Sequence, residues 1–205
     1  MYSKIQYISS GTTEEQQLNN IKAVLQKGIK WVQLRFKTED HTAVRNVAKA
    51  TKLLKQEYDF TFIINDFIDI AQEVDADGVH LGLEDQAVAT ARQQLGPAKI
   101  IGGTANTWDD VQQRIHEGCD YIGLGPLRFT TSKAQLSPLL GPEGYKAIFT
   151  QLKDSPAPPI YAIGGVTLED IPLLSAIGLY GVALSSYLER TDLTPLTIYH
   201  TNLTV

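Results

Sequence analysis

A single (β/α)8 TIM barrel, compact and with short loops, is the fold class that the sequence predicts, and three observations predict it. Short β-branched runs alternate eight times with polar stretches of helical spacing, the pattern of a parallel sheet with helical crossovers. The 205 residues divide into about 26 per unit, which suits a barrel near the short end of its size range. Nearly every apolar run also turns polar or glycine-rich at the same end, the C-terminal one, where barrel enzymes keep their chemistry. A doubly wound open sheet would carry a G-x-G-x-x-G turn after its first strand, and Ser9-Ser10-Gly11-Thr12 is not one.

The elements follow in order. A first strand is expected over Lys4–Ser9, then a helix over Thr12–Leu25 that opens Thr-Thr-Glu-Glu like a capped first turn. The second strand, Trp31–Phe36, runs into Gln33-Leu34-Arg35-Phe36-Lys37, where alternation puts Gln33, Arg35 and Lys37 on one side. The third, Phe60–Asn65, is apolar until Asn65-Asp66; the fourth, Gly78–Leu81, leads to Glu84-Asp85. The fifth, Lys99–Thr104, ends in Gly102-Gly103-Thr104-Ala105-Asn106, and a helix over Thr107–Glu117 carries Asp109 and Asp110 where they favour its dipole. The sixth, Tyr121–Gly125, meets Pro126 and a loop with Thr130-Thr131-Ser132-Lys133. The proline-rich Ser155–Pro159 reads as the turn into the seventh strand, Pro159–Gly164, which ends Gly164-Gly165. The eighth, Gly181–Ser186, ends Ser185-Ser186. No linker interrupts this series, so one domain over residues 1–205 is expected.

Composition narrows the partners. Lys and Arg number 18 against 23 Asp and Glu, a net charge of −5 that argues against broad attraction to nucleic acid or an anionic membrane. A basic pocket for one small phosphate is compatible with it. The single Cys119 excludes an intrachain disulfide framework and any multi-cysteine zinc site, usage that suits a reducing cytoplasm. The opening MYSKIQYISS is too short and polar for a signal-peptide core, and no apolar run reaches membrane-spanning length. A soluble cytoplasmic protein is the expectation.

The strand ends suggest a reaction class. Arg35, Lys37 and Lys133 supply positive charge, and Thr130, Thr131 and Ser132 supply hydroxyls, a set matched to diphosphate oxygens. Asp66 and Asp85 are hard ligands of the kind Mg²⁺ takes when it bridges carboxylates to substrate phosphates. Gly164-Gly165 and Ser185-Ser186 follow strands seven and eight, where barrels often bind a phosphate monoester through backbone N–H groups. Two anion sites with a metal between them point to transfer onto a phosphorylated acceptor with loss of pyrophosphate. Each item also has a plainer role: Asn65-Asp66 is a common turn, and glycine pairs serve turns generally. His80 reads as a satisfied inward-facing histidine, Cys119 as packing, and His41, His116 and His200 as surface residues.

Taken together, these segments resemble the thiamine phosphate synthase (thiamine-phosphate pyrophosphorylase) family from strand two to strand eight. The matching runs are Gln33–Lys37, Ile64-Asn65-Asp66, Asp77–Gly82 with Glu84-Asp85, Ile101–Thr104, Asp120–Pro126, Thr130–Lys133, Ala162–Gly165 and Gly181-Val182-Ala183. The resemblance implies a barrel enzyme that joins 4-amino-2-methyl-5-hydroxymethylpyrimidine diphosphate to 4-methyl-5-(2-hydroxyethyl)thiazole phosphate, giving thiamine phosphate and pyrophosphate with Mg²⁺ as cofactor. It implies a dissociative path through a pyrimidine-stabilised carbocation, which needs no protein nucleophile. By position, Arg35, Lys37, Asn65 and Lys133 would contact the diphosphate, with Arg35, Ser132 and Lys133 catalytic, and Asp66 and Asp85 would hold the metal. Gln33, His80 and Thr104 would line the pyrimidine pocket. Thr130 and Ser132 would meet either phosphate group, and Gly165, Ser185 and Ser186 the thiazole phosphate. The expected partners are these two small molecules, without nucleic acid or membrane; a homo-oligomer is compatible with the sequence.

Three positions depart from the family pattern. Phe36 stands where an acidic residue is usual, on the face opposite Arg35 and Lys37. Thr104 replaces a serine and keeps the hydroxyl. Asn106 replaces a common histidine, which disfavours the related thiazole tautomerases, since they use a histidine there and often lose the diphosphate set. A non-catalytic binder of thiamine intermediates is disfavoured by the retained carboxylates. A Schiff-base aldolase is disfavoured because Lys30 and Lys99 lie at strand starts, the wrong end for barrel chemistry.

Overall fold

A computed structural model describes residues 2–129, 139–153 and 155–191. Thr130, Thr131, Ser132, Lys133 and His200 therefore lie outside the described residues. Eight strands, β1 (Ile5–Ile8), β2 (Trp31–Leu34), β3 (Thr61–Asn65), β4 (Gly78–Leu81), β5 (Ile100–Ala105), β6 (Tyr121–Leu124), β7 (Ile160–Ile163) and β8 (Gly181–Leu184), close into one barrel in sequence order. All pairings are parallel, and closure sets Ile5 opposite Val182. The intervening helices are α1 (Glu14–Gln26), α2 (His41–Leu53), α3 (Ile68–Glu73), α4 (Val88–Leu95), α5 (Trp108–His116), α6 (Gly141–Leu152), α7 (Ile171–Ile177) and α8 (Ser186–Arg190).

Every expected strand is present, most trimmed by a residue or two where the chain leaves the ladder and its side chains turn to the mouth. Thr13 rather than Thr12 caps the first helix, its side chain accepting from the Gln16 N–H. The fifth helix keeps its acidic first turn, but Thr107, expected as its first residue, is its N-cap and forms a full capping box with Asp110. The proline-rich run before Ile160 is irregular, as expected of a turn.

Strand alternation sorts the interior into two layers of packing. Outward residues such as Tyr7, Val32, Leu34, Phe62, Ile64, Val79, Ile101, Ile122 and Val182 form the main core against the helices. Phe36 belongs to that layer, 6% exposed, so it does point away from Arg35 and Lys37. Cys119 packs there too, and burial pushes its thiol up to about 12, out of the reactive range.

Inside the barrel, Trp31, Ile63, Tyr121 and Tyr161 form a separate plug nearer the strand starts. Tyr121 and Tyr161 meet Trp31 edge-on at centroid distances of 5.1 and 5.4 Å. Such rings fit only because β5 offers no side chain at Gly102: a Cβ there would stand 2.2 Å from Tyr121 Cζ. Gly102→Ala should lower stability by about 3 kcal/mol, the upper end of an overpacking cost, read as a fall in the urea midpoint at unchanged slope. Gly123→Ala, whose Cβ would stand 3.3 Å from His80 Cε1, should cost clearly less. Equal losses would contradict the packing described.

Candidate active site

Above the plug, the barrel turns polar around one hydroxyl. Gln6 and Gln33 both donate from Nε2 to the Tyr121 hydroxyl, at 3.2 and 3.4 Å, and His80 Nδ1 lies 3.0 Å from it. With two donors on its oxygen, the hydroxyl sends its own proton to His80 Nδ1. Nε2 then carries the ring proton and donates to Thr104 Oγ1 at 3.0 Å. Burial raises the Tyr121 phenol well above its ordinary value, which keeps that proton in place. His80 is thus the satisfied inward-facing histidine that its strand context suggested, and its Nε2 side reaches the mouth through Thr104.

The mouth is a cavity of about 690 Å³ at the C-terminal strand ends. From β2 it receives Gln33, Arg35 and Lys37, from β3 Asn65 and Asp66, and from β4 and its loop His80 and Asp85. Thr104 enters from β5, Gly165 from the turn after β7, and Ser185 and Ser186 from the end of β8. All the site residues singled out by sequence that are described therefore line one cavity; Thr130, Ser132 and Lys133 fall outside the described residues.

Arg35 is gripped by its backbone, its N–H donating to Ser9 Oγ at 2.9 Å and its carbonyl accepting from Gln17 Nε2 at 3.3 Å. Its guanidinium has no hydrogen-bond partner among the described residues. Burial pulls that group below its ordinary value, and the nearby Asp66 charge counters the shift. A desolvated, still cationic guanidinium at a cavity wall favours an anionic ligand.

Asp66 takes a left-handed conformation, φ 68°, which Asp tolerates better than most residues. The turn is pinned by the Asp66 N–H to the His80 carbonyl at 2.9 Å. Lys37 Nζ reaches Asp66 Oδ2 at 2.6 Å, while Asp85 Oδ2 accepts from the Gly82 N–H at 2.6 Å. Burial raises the Asp66 carboxyl above its ordinary value, the neighbouring Asp85 carboxyl adds to this, and Lys37 opposes it. Two adjoining carboxylates, one of them desolvated, suit a small hard cation. Among the described residues no three His, Cys, Asp or Glu converge as a metal cluster, and Mg²⁺ needs no more than one or two carboxylates when phosphates and waters complete its shell. The donor set fits that ion.

On the far side, Gly164 and Gly165 both have positive φ, 83° and 68°. The N–H groups of Gly165 and Val166 have no acceptor among the described residues, and both residues line the cavity. Asn106 donates from Nδ2 to the Gly125 carbonyl, so it serves the root of the loop after β6. Sequence reasoning missed Ile8, Val166, Thr167, Tyr187 and Arg190 on the cavity wall. Alternation from Gln6 would have found Ile8, and helical spacing from Ser186 would have found Arg190.

A closed (β/α)8 barrel with cations, carboxylates and backbone N–H groups that lack acceptors among the described residues, all gathered at the C-terminal mouth, has the build of a barrel enzyme for small molecules. No helix among the described residues is long and apolar enough to cross a membrane. The family model described as Thiamine monophosphate synthase matches residues 6–188. The chain is 51% identical over 193 residues to the thiamine-phosphate synthase of Flavobacterium psychrophilum, covering 94% of each. It is 45% identical over 188 residues to that of Phocaeicola vulgatus, covering 91% of this chain and 90% of the relative. The solved thiamine phosphate pyrophosphorylase of Pyrococcus furiosus superposes with a TM-score of 0.80 at 26% identity, over 97% of this chain and 93% of that one. The chain belongs to the thiamine monophosphate synthase family, and it is an enzyme of the transferase class.

Tyr121→Phe removes the donor to His80 Nδ1 and leaves the Gln6 and Gln33 amides without their acceptor. The variant should lose about 1–3 kcal/mol of stability. Nitrogen chemical shifts of His80 should show the Nε2–H tautomer in the wild type and a loss of that bias in the variant; a wild-type Nδ1–H ring would contradict the network.

Proposed function

We propose that the chain condenses 4-amino-2-methyl-5-hydroxymethylpyrimidine diphosphate with 4-methyl-5-(2-hydroxyethyl)thiazole phosphate, releasing pyrophosphate, in the presence of Mg²⁺. The observation that carries this proposal is the division of one mouth into two anion-receptive sides. Arg35 and Lys37 stand with the Asp66–Asp85 pair on one side, and the Gly165 and Val166 N–H groups stand on the other. A diphosphate donor and a monophosphate acceptor call for that division.

Arg35, Lys37 and Asn65 hold the diphosphate, and Thr130, Ser132 and Lys133, which lie outside the described residues, are assigned to it by the family resemblance. Asp66 and Asp85 would hold Mg²⁺, which supplies positive charge to the departing pyrophosphate. Gln33, His80 and Thr104 grip the pyrimidine edge from the fixed polar layer. The C–O bond to the diphosphate breaks with its electron pair leaving on pyrophosphate. The resulting carbocation is stabilised by the electron-rich pyrimidine, and the thiazole nitrogen lone pair then forms the C–N bond. Gly165, Ser185 and Ser186 hold the acceptor by its phosphate, so that its nitrogen faces the reacting carbon. Neither a protein nucleophile nor a general base takes part; catalysis comes from charge stabilisation by Arg35, Ser132 and Lys133 and from positioning. Substrates of this charge cross membranes poorly, so the reaction takes place in the compartment that makes them, for which we propose the cytoplasm.

The test is pyrophosphate release from purified protein with both substrates, with and without Mg²⁺. Asp66→Ala and Asp85→Ala should each lower kcat/KM by about 100-fold or more, since metal charge neutralisation supplies several kcal/mol. Full activity of either variant at low Mg²⁺ removes the metal assignment. Thiazole isomerisation without pyrophosphate release would identify a tautomerase, and tight binding without either reaction a non-catalytic binder.

A further inference from the structure

The turn after β7 is held by a side chain that the proposed reaction does not use. Arg128, at the root of the loop after β6, donates from Nη1 to the Gly165 carbonyl at 3.0 Å. The same guanidinium forks onto Asp170, Nη1 to Oδ2 and Nη2 to Oδ1, both at 2.6 Å. Its backbone N–H donates to the Gly164 carbonyl at 3.0 Å, continuing the Leu127 N–H to Ile163 carbonyl bond, also at 3.0 Å. Asp170 is itself fixed, its Oδ2 accepting from the Thr167 N–H at 2.9 Å and the Thr167 hydroxyl at 3.2 Å. Both carbonyls of the Gly164-Gly165 turn are thus tied to one residue. The approach is close: a Cβ on Gly165 would stand 2.8 Å from Arg128 Cβ.

Two consecutive glycines with positive φ have more backbone freedom to lose than any other pair, so without a restraint their N–H groups would spread over many directions. Tying the carbonyls from behind orients the N–H groups the other way. We propose that Arg128, anchored by Asp170, is a positioning pair that aims the Gly165 and Val166 N–H groups at the phosphate of the acceptor. This rests on the assignment of that side of the mouth to the thiazole phosphate. Arg128 touches neither substrate; it acts through the turn, by removing an ordering cost that binding would otherwise bear.

Binding is measured by calorimetry with three probes: the thiazole phosphate, the unphosphorylated thiazole alcohol and inorganic phosphate. Arg128→Met keeps the aliphatic stem and loses every donor of the guanidinium. It should weaken thiazole phosphate and inorganic phosphate by roughly tenfold, as expected for lost charge-assisted hydrogen bonds, and leave the alcohol unchanged. In turnover, KM for the thiazole phosphate should rise by a similar factor, with kcat at saturation and KM for the pyrimidine diphosphate within about twofold. Arg128→Lys, which keeps the charge but not the fork, should fall between the two and covers the case in which the methionine variant does not fold. Unchanged phosphate affinity in either folded variant overturns the positioning role, as does an equal loss for all three probes. Wild-type protein that releases no pyrophosphate and does not bind the thiazole phosphate overturns the proposed reaction instead. The positioning role is then decided by inorganic phosphate alone, and it falls if that affinity is the same in wild type and variants.

Discussion

The mouth depends on how the barrel fills its own interior. Eight short parallel strands closed in sequence order enclose a space that side chains must occupy. Tyr121 does this twice over. Its ring completes the apolar plug with Trp31, Ile63 and Tyr161, and its hydroxyl begins the polar layer above. The bare backbone at Gly102 is what lets the ring lie across the barrel. Because the hydroxyl is saturated by two amides and one imidazole, Gln33 and His80 reach the cavity floor in fixed orientations. The floor needs no rearrangement to meet a ligand edge, which is the condition for hydrogen bonds to position a substrate.

Above that floor, charge is arranged against its own preference. Arg35 is cationic in a place where burial works against the charge, and Asp66 is held next to a second carboxylate. Lys37 relieves part of the second conflict at 2.6 Å but leaves Asp85 anchored only to the Gly82 backbone among the described residues. The net charge of −5 conceals this sorting, since a count cannot separate the ion pairs that lace the outer helices from the groups turned into the mouth. Arg45 with Asp69 and Glu73 is such an outer set, spanning helix surfaces in solvent, where screening leaves it little weight.

The fold was legible because its rules act over short stretches of chain. A strand packed on both sides must be apolar outward, and Val32-Leu34-Phe36 or Phe62-Ile64 announce this by alternation alone. The acidic first turn of α5, with Asp109 and Asp110, is equally local. Arg35, Lys37, Asn65, Asp66 and Asp85 were legible through their place at strand ends, because closure brings those ends together whatever the loops do. What alternation does not carry is partnership. It sets His80 inward but gives no sign that Tyr121, two strands away, fixes its tautomer. It also gives no sign that Arg128 and Asp170, 42 positions apart in the chain, share a bidentate bond. Such pairs depend on inter-strand register and on loop paths, which one sequence does not print.

The two sides of the mouth are built from different materials, and the proposed reaction gives a reason. Pyrophosphate must be stabilised as it forms and then let go. Long cationic side chains, with the metal charge that Asp66 and Asp85 would hold, could release it, since each contact loosens separately. The acceptor phosphate must instead stay still while its nitrogen meets a short-lived cation. Backbone N–H groups in a turn tied down at both carbonyls give that stillness, because they move only if Arg128 and the β6–β7 junction move with them. Exchanging the two designs would hold the leaving group and free the acceptor, the reverse of what the chemistry requires. On the proposed reaction, side-chain charge would face the bond that breaks, and backbone dipoles held by the turn would face the molecule that must be held.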